Sequence, residues 1–155
     1  MNQDERNLRG ALEMLHVRKD ADAVAKVWAN LGSQDRFIRY AARIALEHQP
    51  VNEWQDKALA EKDPWSAITG LLALVRSTSS DPFHRKPDAE KPDPAWLEKI
   101  VTALEKIDWK QLTDEQRNEL LRVYAVAFNR LGPPSDEVKQ RTIAKLDPHY
   151  PAATR

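Results

Sequence analysis

Cysteine is absent from the 155 residues, which excludes disulfides, thiol nucleophiles and thiolate metal sites and leaves the redox compartment open. Net charge is absent too. Lys plus Arg equals Asp plus Glu at 24 each, so no global field draws the chain to nucleic acid or to an anionic membrane, and charge-based recognition has to be local. No apolar run approaches the roughly 20 residues of a membrane span. The opening Met-Asn-Gln-Asp-Glu-Arg is too charged for a secretion signal, and is also the kind of start expected of a module excised from a longer chain. Strand signals are missing throughout, as are a Gly-rich phosphate loop, a Ser-x-x-Lys pair and a nucleophile elbow. What is present is 41% hydrophobic residues and five Trp, enough to bury a core and consistent with one domain over residues 1–155.

Helical spacing supplies the rest of the fold reading. Leu8, Ala11, Leu12 and Leu15 predict a first helix over 4–16, and Asp20 caps a second one whose inward face is Val24, Val27, Trp28 and Leu31, with Gly32 at its C-terminal end. Residues 33–49 form the organising stretch, with Ser33 or Asp35 as its cap. At 100° per residue, Phe37, Ile38, Ala41, Ala42, Ile44, Ala45 and Leu46 spread over about 200°, twice the roughly 100° a surface helix needs. Such a helix is covered from two sides. A short helix follows over 52–61, capped by Asn52, with Trp54, Ala58 and Leu59 inward. Asp63-Pro64 then starts a buried helix from Trp65 to Arg76.

Residues 77–92 hold three prolines without periodicity and predict a long exposed loop. Beyond it, Asp93-Pro94 opens a half-exposed helix with Trp96, Leu97, Ile100, Val101, Leu104 and Ile107 on its apolar face. Thr113 to Gln116 reads as a capping box for a helix reaching Leu131, with Leu120, Leu121, Val123, Tyr124, Ala127 and Phe128 inward and Gly132 at its end. Ser135 caps a last helix through about Leu146, with Val138, Ile143 and Leu146 inward. The expected fold class is all-α, with about eight helices in antiparallel neighbours.

Alternating exposed and buried helices prompt a search for repeats. At an offset of 28, Asp35 matches Asp63, Phe37 matches Trp65, Ala45 matches Ala73 and Leu46 matches Leu74. The run from Leu31 to Leu46 resembles the second-helix signature of HEAT-like repeats through Asp35, Ile38-Arg39, Ala41-Ala42 and Leu46. The second unit keeps Asp63, Ala73 and Leu74 but has Ala67 in place of the Arg. The longer run from Trp28 to Arg76, with Asp108-Trp109 and Arg122 to Phe128, is similar to a helical region of large secreted bacterial proteins. Those proteins join a β-propeller resembling sugar dehydrogenases to HEAT-like helices and a c-type cytochrome domain. The resemblance implies an α-solenoid of HEAT-like antiparallel helix pairs and a periplasmic or secreted parent. Their haem motif, Cys-x-x-Cys-His, is missing here, so no haem role transfers.

Among candidate site residues, Arg36, Arg39 and Arg43 fall within an arc of about 60° and form a basic stripe able to grip a carboxylate, a phosphate or an acidic partner. The plainer reading pairs Arg43 with Glu47 at i,i+4, while the HEAT-like resemblance implies that Arg39 holds the Asp of a neighbouring inter-helix turn. Glu13-x-x-His16 has the spacing of half a di-iron carboxylate site but lacks a second such pair. His48, His84 and His149 are scattered and read as surface residues. Trp28, Trp65 and Trp96 lie on apolar faces as core, while Trp54 and Trp109 sit near helix starts, Trp109 plugging an inter-helix gap.

No catalytic, cofactor-binding or metal-binding residue is nominated. The expected function is a non-catalytic scaffold or interaction module, a monomer that docks a protein or a neighbouring domain of a parent chain. Its contact regions are the stripe of Arg36, Arg39 and Arg43 and the loop over 77–92. The alternative is a HEAT-like DNA-binding protein or DNA glycosylase, which the balanced charge disfavours. A weaker third reading is a helical-bundle carrier of a small molecule or metal.

Overall fold

Helix starts carry the most local information in this chain, and most of them form where the side chains require. The computed structural model describes residues 3–17, 20–83 and 91–150, and among these the backbone forms eight α-helices and three short 3-10 turns, with no strand. The helices are α1 (Gln3–Met14), α2 (Ala23–Trp28), α3 (Arg36–Glu47), α4 (Gln55–Ala60), α5 (Pro64–Ser77), α6 (Ala95–Glu105), α7 (Asp114–Leu131) and α8 (Asp136–Leu146).

A free N-terminal amide in a first turn needs an acceptor, and a short polar side chain just before it provides one. Asp35 accepts from the amides of Phe37 at 2.7 Å and Ile38 at 3.3 Å. Asp63 accepts from Ser66 at 2.9 Å, ahead of Pro64 at the first helical position. The capping box at α7 is complete, with Thr113 Oγ1 accepting from the Gln116 amide at 3.2 Å and Gln116 Oε1 from the Thr113 amide at 2.9 Å. Ser135 does the same for Val138 at 3.3 Å. At the other end of α7, Gly132 takes φ 107°, a conformation that side-chain-bearing residues rarely adopt.

Several expectations need correction. α2 is capped less directly than its sequence implies: Asp20 accepts from the Asp22 amide at 2.8 Å in the preceding turn, and Asp22 itself makes no side-chain cap. Asn52 is exposed within a 3-10 turn, Val51–Glu53, and α4 starts only after Trp54, which is almost fully buried. Gly32 is not a left-handed terminator. A Cβ there would stand 2.8 Å from Ser66 Oγ and 2.9 Å from Asp63 Oδ2, so glycine lets the α2–α3 turn lie against the cap of α5. Leu8, Ala11, Leu121 and Ile143, expected inward, are exposed. α1, α7 and α8 are each covered along a narrower stripe than their apolar residues would fill. The expected loop starts directly after α5, but its residues 84–90, including His84, lie outside the described residues.

Two layers emerge from the packing. α1, α3, α5 and α7 lie side by side in that order, while α2 rests on α3, α4 on α5, and α6 on α5 and α7, with α4 and α8 beside α6. α5 lies between α3 and α7 in the first layer and is covered by α4 and α6 of the second, and every residue from Trp65 to Val75 is buried. Each large aliphatic side chain enclosed in this way contributes about 1.5–3 kcal/mol. Ala41, Ala42 and Ala45 of α3, all buried, allow the backbones of neighbouring helices to approach closely. Among the described residues no helix is long and apolar enough to cross a membrane.

Candidate interaction groove

A groove of about 710 Å³ crosses the open face of the layer formed by α1, α3, α5 and α7. Its wall on α3 is Arg36, Phe37, Arg39, Tyr40 and Arg43. α5 provides the floor with Trp65, Ile68, Thr69 and Leu72, α7 lines the opposite wall with Glu115, Asn118, Glu119 and Arg122, and Arg9 reaches in from α1. The three arginines singled out from the sequence therefore all meet in this groove.

They do not form an exposed stripe, however. Arg36 is exposed, whereas Arg39 and Arg43 are only 7% and 8% accessible. The guanidinium of Arg39 lies 3.6 Å from the centre of the Trp65 ring. It donates to the carbonyls of Ser33 at 2.6 Å and Gln34 at 3.0 Å, and to Glu115 Oε1 at 2.9 Å. Its carboxylate partner is thus the first turn of α7 and not the aspartate of a neighbouring turn, because α5 holds α7 close to α3. Arg39 ties the turn before its own helix to the start of α7. Arg43 pairs with Glu47 one turn on, as its spacing implied, and Glu47 also accepts from Arg76 Nε at 3.1 Å and 3.2 Å. Burial pushes the Arg43 guanidinium below the ordinary arginine range; Glu47 opposes that shift and the neighbouring Arg76 adds to it.

Two aromatic side chains of the α3 wall also remain open. Phe37 is 48% and Tyr40 60% accessible, although Phe37 falls inside the apolar arc of α3. Arg36 lies 4.8 Å from the centre of the Phe37 ring and Arg43 5.0 Å from that of Tyr40. Spaced by three residues, the two rings share one helix face. The sequence contained a signal for this: Tyr40 sits between arginines, outside the apolar arc, so its side of α3 had no partner helix to cover it.

Elsewhere the candidate residues are paired or stacked with one another. Glu13 is paired with Arg9 at 2.7 Å, and His16 stacks on His48 with ring centres 5.1 Å apart. No group of three or more metal-binding side chains is gathered among the described residues. His149 stacks on Trp109 at 4.8 Å, and Trp109 is half-buried in the 3-10 turn before α7. Trp28 and Trp65 are core, as expected; Trp96 is half-buried, with Lys99 Nζ 4.8 Å from its ring centre.

Against family models, curated proteins and solved structures, the chain matches none significantly. The groove is therefore read from its own chemistry. Two exposed rings and the exposed Arg36, beside arginines already engaged in ion pairs, make a surface suited to contact. Both carboxylates that line it are held in ion pairs, Glu115 by Arg39 at 2.9 Å and Glu119 by Arg122 at 3.3 Å.

Proposed function

We propose that this chain is a HEAT-like helical-repeat module that serves as a non-catalytic scaffold and docks a protein partner, or a neighbouring domain of a larger exported protein, through the groove on α3, α5 and α7. The solenoid reading is supported by the alternation of α1, α3, α5 and α7 in one layer with α2, α4 and α6 against it and α8 beside α6. It is also supported by the aspartate caps of α3 and α5 at an offset of 28, each followed two residues later by a large aromatic. The observation that carries the docking reading is the exposure of Phe37 and Tyr40 beside Arg36, since aromatic and arginine side chains are the usual anchors of protein interfaces. The rival reading, a HEAT-like DNA-binding protein or glycosylase, has the arginines gathered in the groove in its favour, but Arg39 and Arg122 are already paired with Glu115 and Glu119 and the chain as a whole is neutral, which leaves little charge to neutralise a phosphate backbone.

The test is site-specific photo-crosslinking in the source cell, with a photoreactive phenylalanine placed at Tyr40 and, as a control, at the exposed Gln140 of α8. A discrete protein adduct from Tyr40 that Gln140 does not give supports the module. Nucleic-acid adducts, or identical adduct patterns from both positions, overturn it.

A further inference from the structure

Charge in and around the groove is unevenly placed, although the chain as a whole is neutral. Arg9 is matched by Glu13, Arg39 by Glu115 and Arg122 by Glu119. Arg43 and Arg76 share the single carboxylate of Glu47. Arg36 lies 4.8 Å from the centre of the Phe37 ring and has no ion-pair partner among the described residues. Six arginines thus face four glutamates, and the excess of two positive charges lies on α3 and its junction with the end of α5. The α7 wall contributes no such excess: Glu115 is 65% accessible at its side chain, and Glu119 is partly open.

We infer that the groove takes an acidic segment of a partner protein that carries aromatic or aliphatic side chains between its carboxylates, one carboxylate seating on Arg36 and the apolar side chains on Phe37 and Tyr40. This inference rests on the interaction-module reading and names the chemistry of the partner. A free guanidinium offers a carboxylate two parallel hydrogen bonds, and its position against Phe37 limits the freedom lost when it engages. Phe37 and Tyr40, one turn apart on α3, present a narrow apolar strip that a lone carboxylate or a purely polar anion would leave unused. A continuous polyanion such as a nucleic-acid strand would find only the two-charge excess around α3, because Arg39 and Arg122 are already paired with Glu115 and Glu119, whereas a peptide with spaced carboxylates can match that excess and turn a neutral side chain toward the α7 wall.

The test is fluorescence anisotropy on the full chain with a short labelled peptide alternating Asp and Glu with Phe and Leu. Three other probes accompany it: the same peptide with Lys in place of the acids, an acidic peptide without apolar residues, and a single-stranded oligonucleotide. Saturable, salt-sensitive binding of the first peptide is expected, weakened about tenfold or more by Arg36→Glu and, independently, by Phe37→Ser combined with Tyr40→Ser. All three residues are exposed, so the variants should melt with the wild type; Arg36→Gln replaces Arg36→Glu if the reversal disturbs folding. Equal binding of the basic peptide, tighter binding of the oligonucleotide, binding indifferent to Arg36, or no binding at all would overturn the inference. If Tyr40 nevertheless crosslinks to a protein, only the acidic preference fails; if it does not, the module reading fails with it.

Discussion

α3 and α5 begin alike, with an aspartate cap and, two residues on, a large aromatic: Phe37 in one helix and Trp65 in the other. Beyond that point their surroundings diverge. α5 has α3, α4, α6 and α7 around it, and no residue from Trp65 to Val75 reaches solvent appreciably. α3 has α1, α2 and α5, so one strip of its surface has no helix against it, and Phe37 and Tyr40 remain in the open. Arg39 explains how one register gives both results. It reaches from α3 across to α5 and covers Trp65 at 3.6 Å, and α5 has Ala67 at the matching position, with no comparable arm. The difference between a core aromatic and a contact aromatic in this fold therefore comes from what a neighbouring helix places over it and not from the aromatic itself.

The sharpest way to break this comparison is to introduce charge on the two faces of α3. Ala42 is fully buried, and Ala42→Asp would enclose an unpaired carboxylate, costing at least about 4 kcal/mol, a large share of the stability of a domain this size. Tyr40→Asp, two residues away but in the open, should shift stability by no more than about 0.5 kcal/mol. Thermal melting by circular dichroism distinguishes the two. If Ala42→Asp melts with the wild type, the assignment of faces on α3 is wrong.

Truncating the two aromatics tests the same register directly. Trp65→Ala should cost about 3–5 kcal/mol, because it empties a packed site and also removes the ring on which Arg39 rests. Phe37→Ala should cost less than about 1 kcal/mol. Urea unfolding of both variants measures the gap, and equal losses would mean that Phe37 is packed in solution.

A third perturbation targets the arginines. Glu47→Gln leaves Arg43 buried with its charge unanswered and should destabilise by about 3 kcal/mol, since breaking one partner of an enclosed pair costs more than the pair contributes. Replacing both members, Arg43→Met with Glu47→Leu, should recover much of that loss. If the double variant is no better than Glu47→Gln, Arg43 is held by something other than its charge pairing.

How much of this was legible in the sequence depends on the range of the interaction. The caps at Asp63, Thr113 and Ser135, and the glycine at 132, are decided within a few residues and form where the side chains indicate, and of the two candidates for α3, Ser33 and Asp35, it is Asp35 that caps. The central position of α5 was legible because apolar residues occupy nearly its whole circumference. The burial of Arg39 and Arg43 was not, since a helical wheel places arginines outside and cannot show that Trp65 and Glu115 come close enough to enclose one of them. Gly32 was read as a helix terminator because chain order shows what precedes a glycine and not the Asp63 cap that packs against it. The groove was visible only as three arginines; its aromatic half required knowing which helix was missing from one side of α3.

The smallest effect is a pH dependence on the outer layer, where the neighbour of α5 is α4. Glu61 follows α4 and accepts from Trp28 Nε1 at 2.7 Å and from the amides of Lys62 at 2.7 Å and Asp63 at 3.0 Å. Partial burial pushes its carboxyl up, but the hydrogen bonds from Trp28 and the two amides pull it further the other way, so it titrates below the ordinary value of 4.5. A carboxyl whose folded-state pKa lies below its unfolded one stabilises the fold at pH above the unfolded value. That contribution disappears as pH falls from about 4.5 through the lower, folded value. Glu61→Gln should therefore be less stable than the wild type at neutral pH, by under about 1 kcal/mol once solvent screening is allowed for. The two stabilities should converge as acid protonates the wild-type carboxyl. Denaturant titrations at neutral pH and well below pH 4.5 decide this, and a difference that stays constant or widens in acid would mean that Glu61 acts through packing and not through its charge.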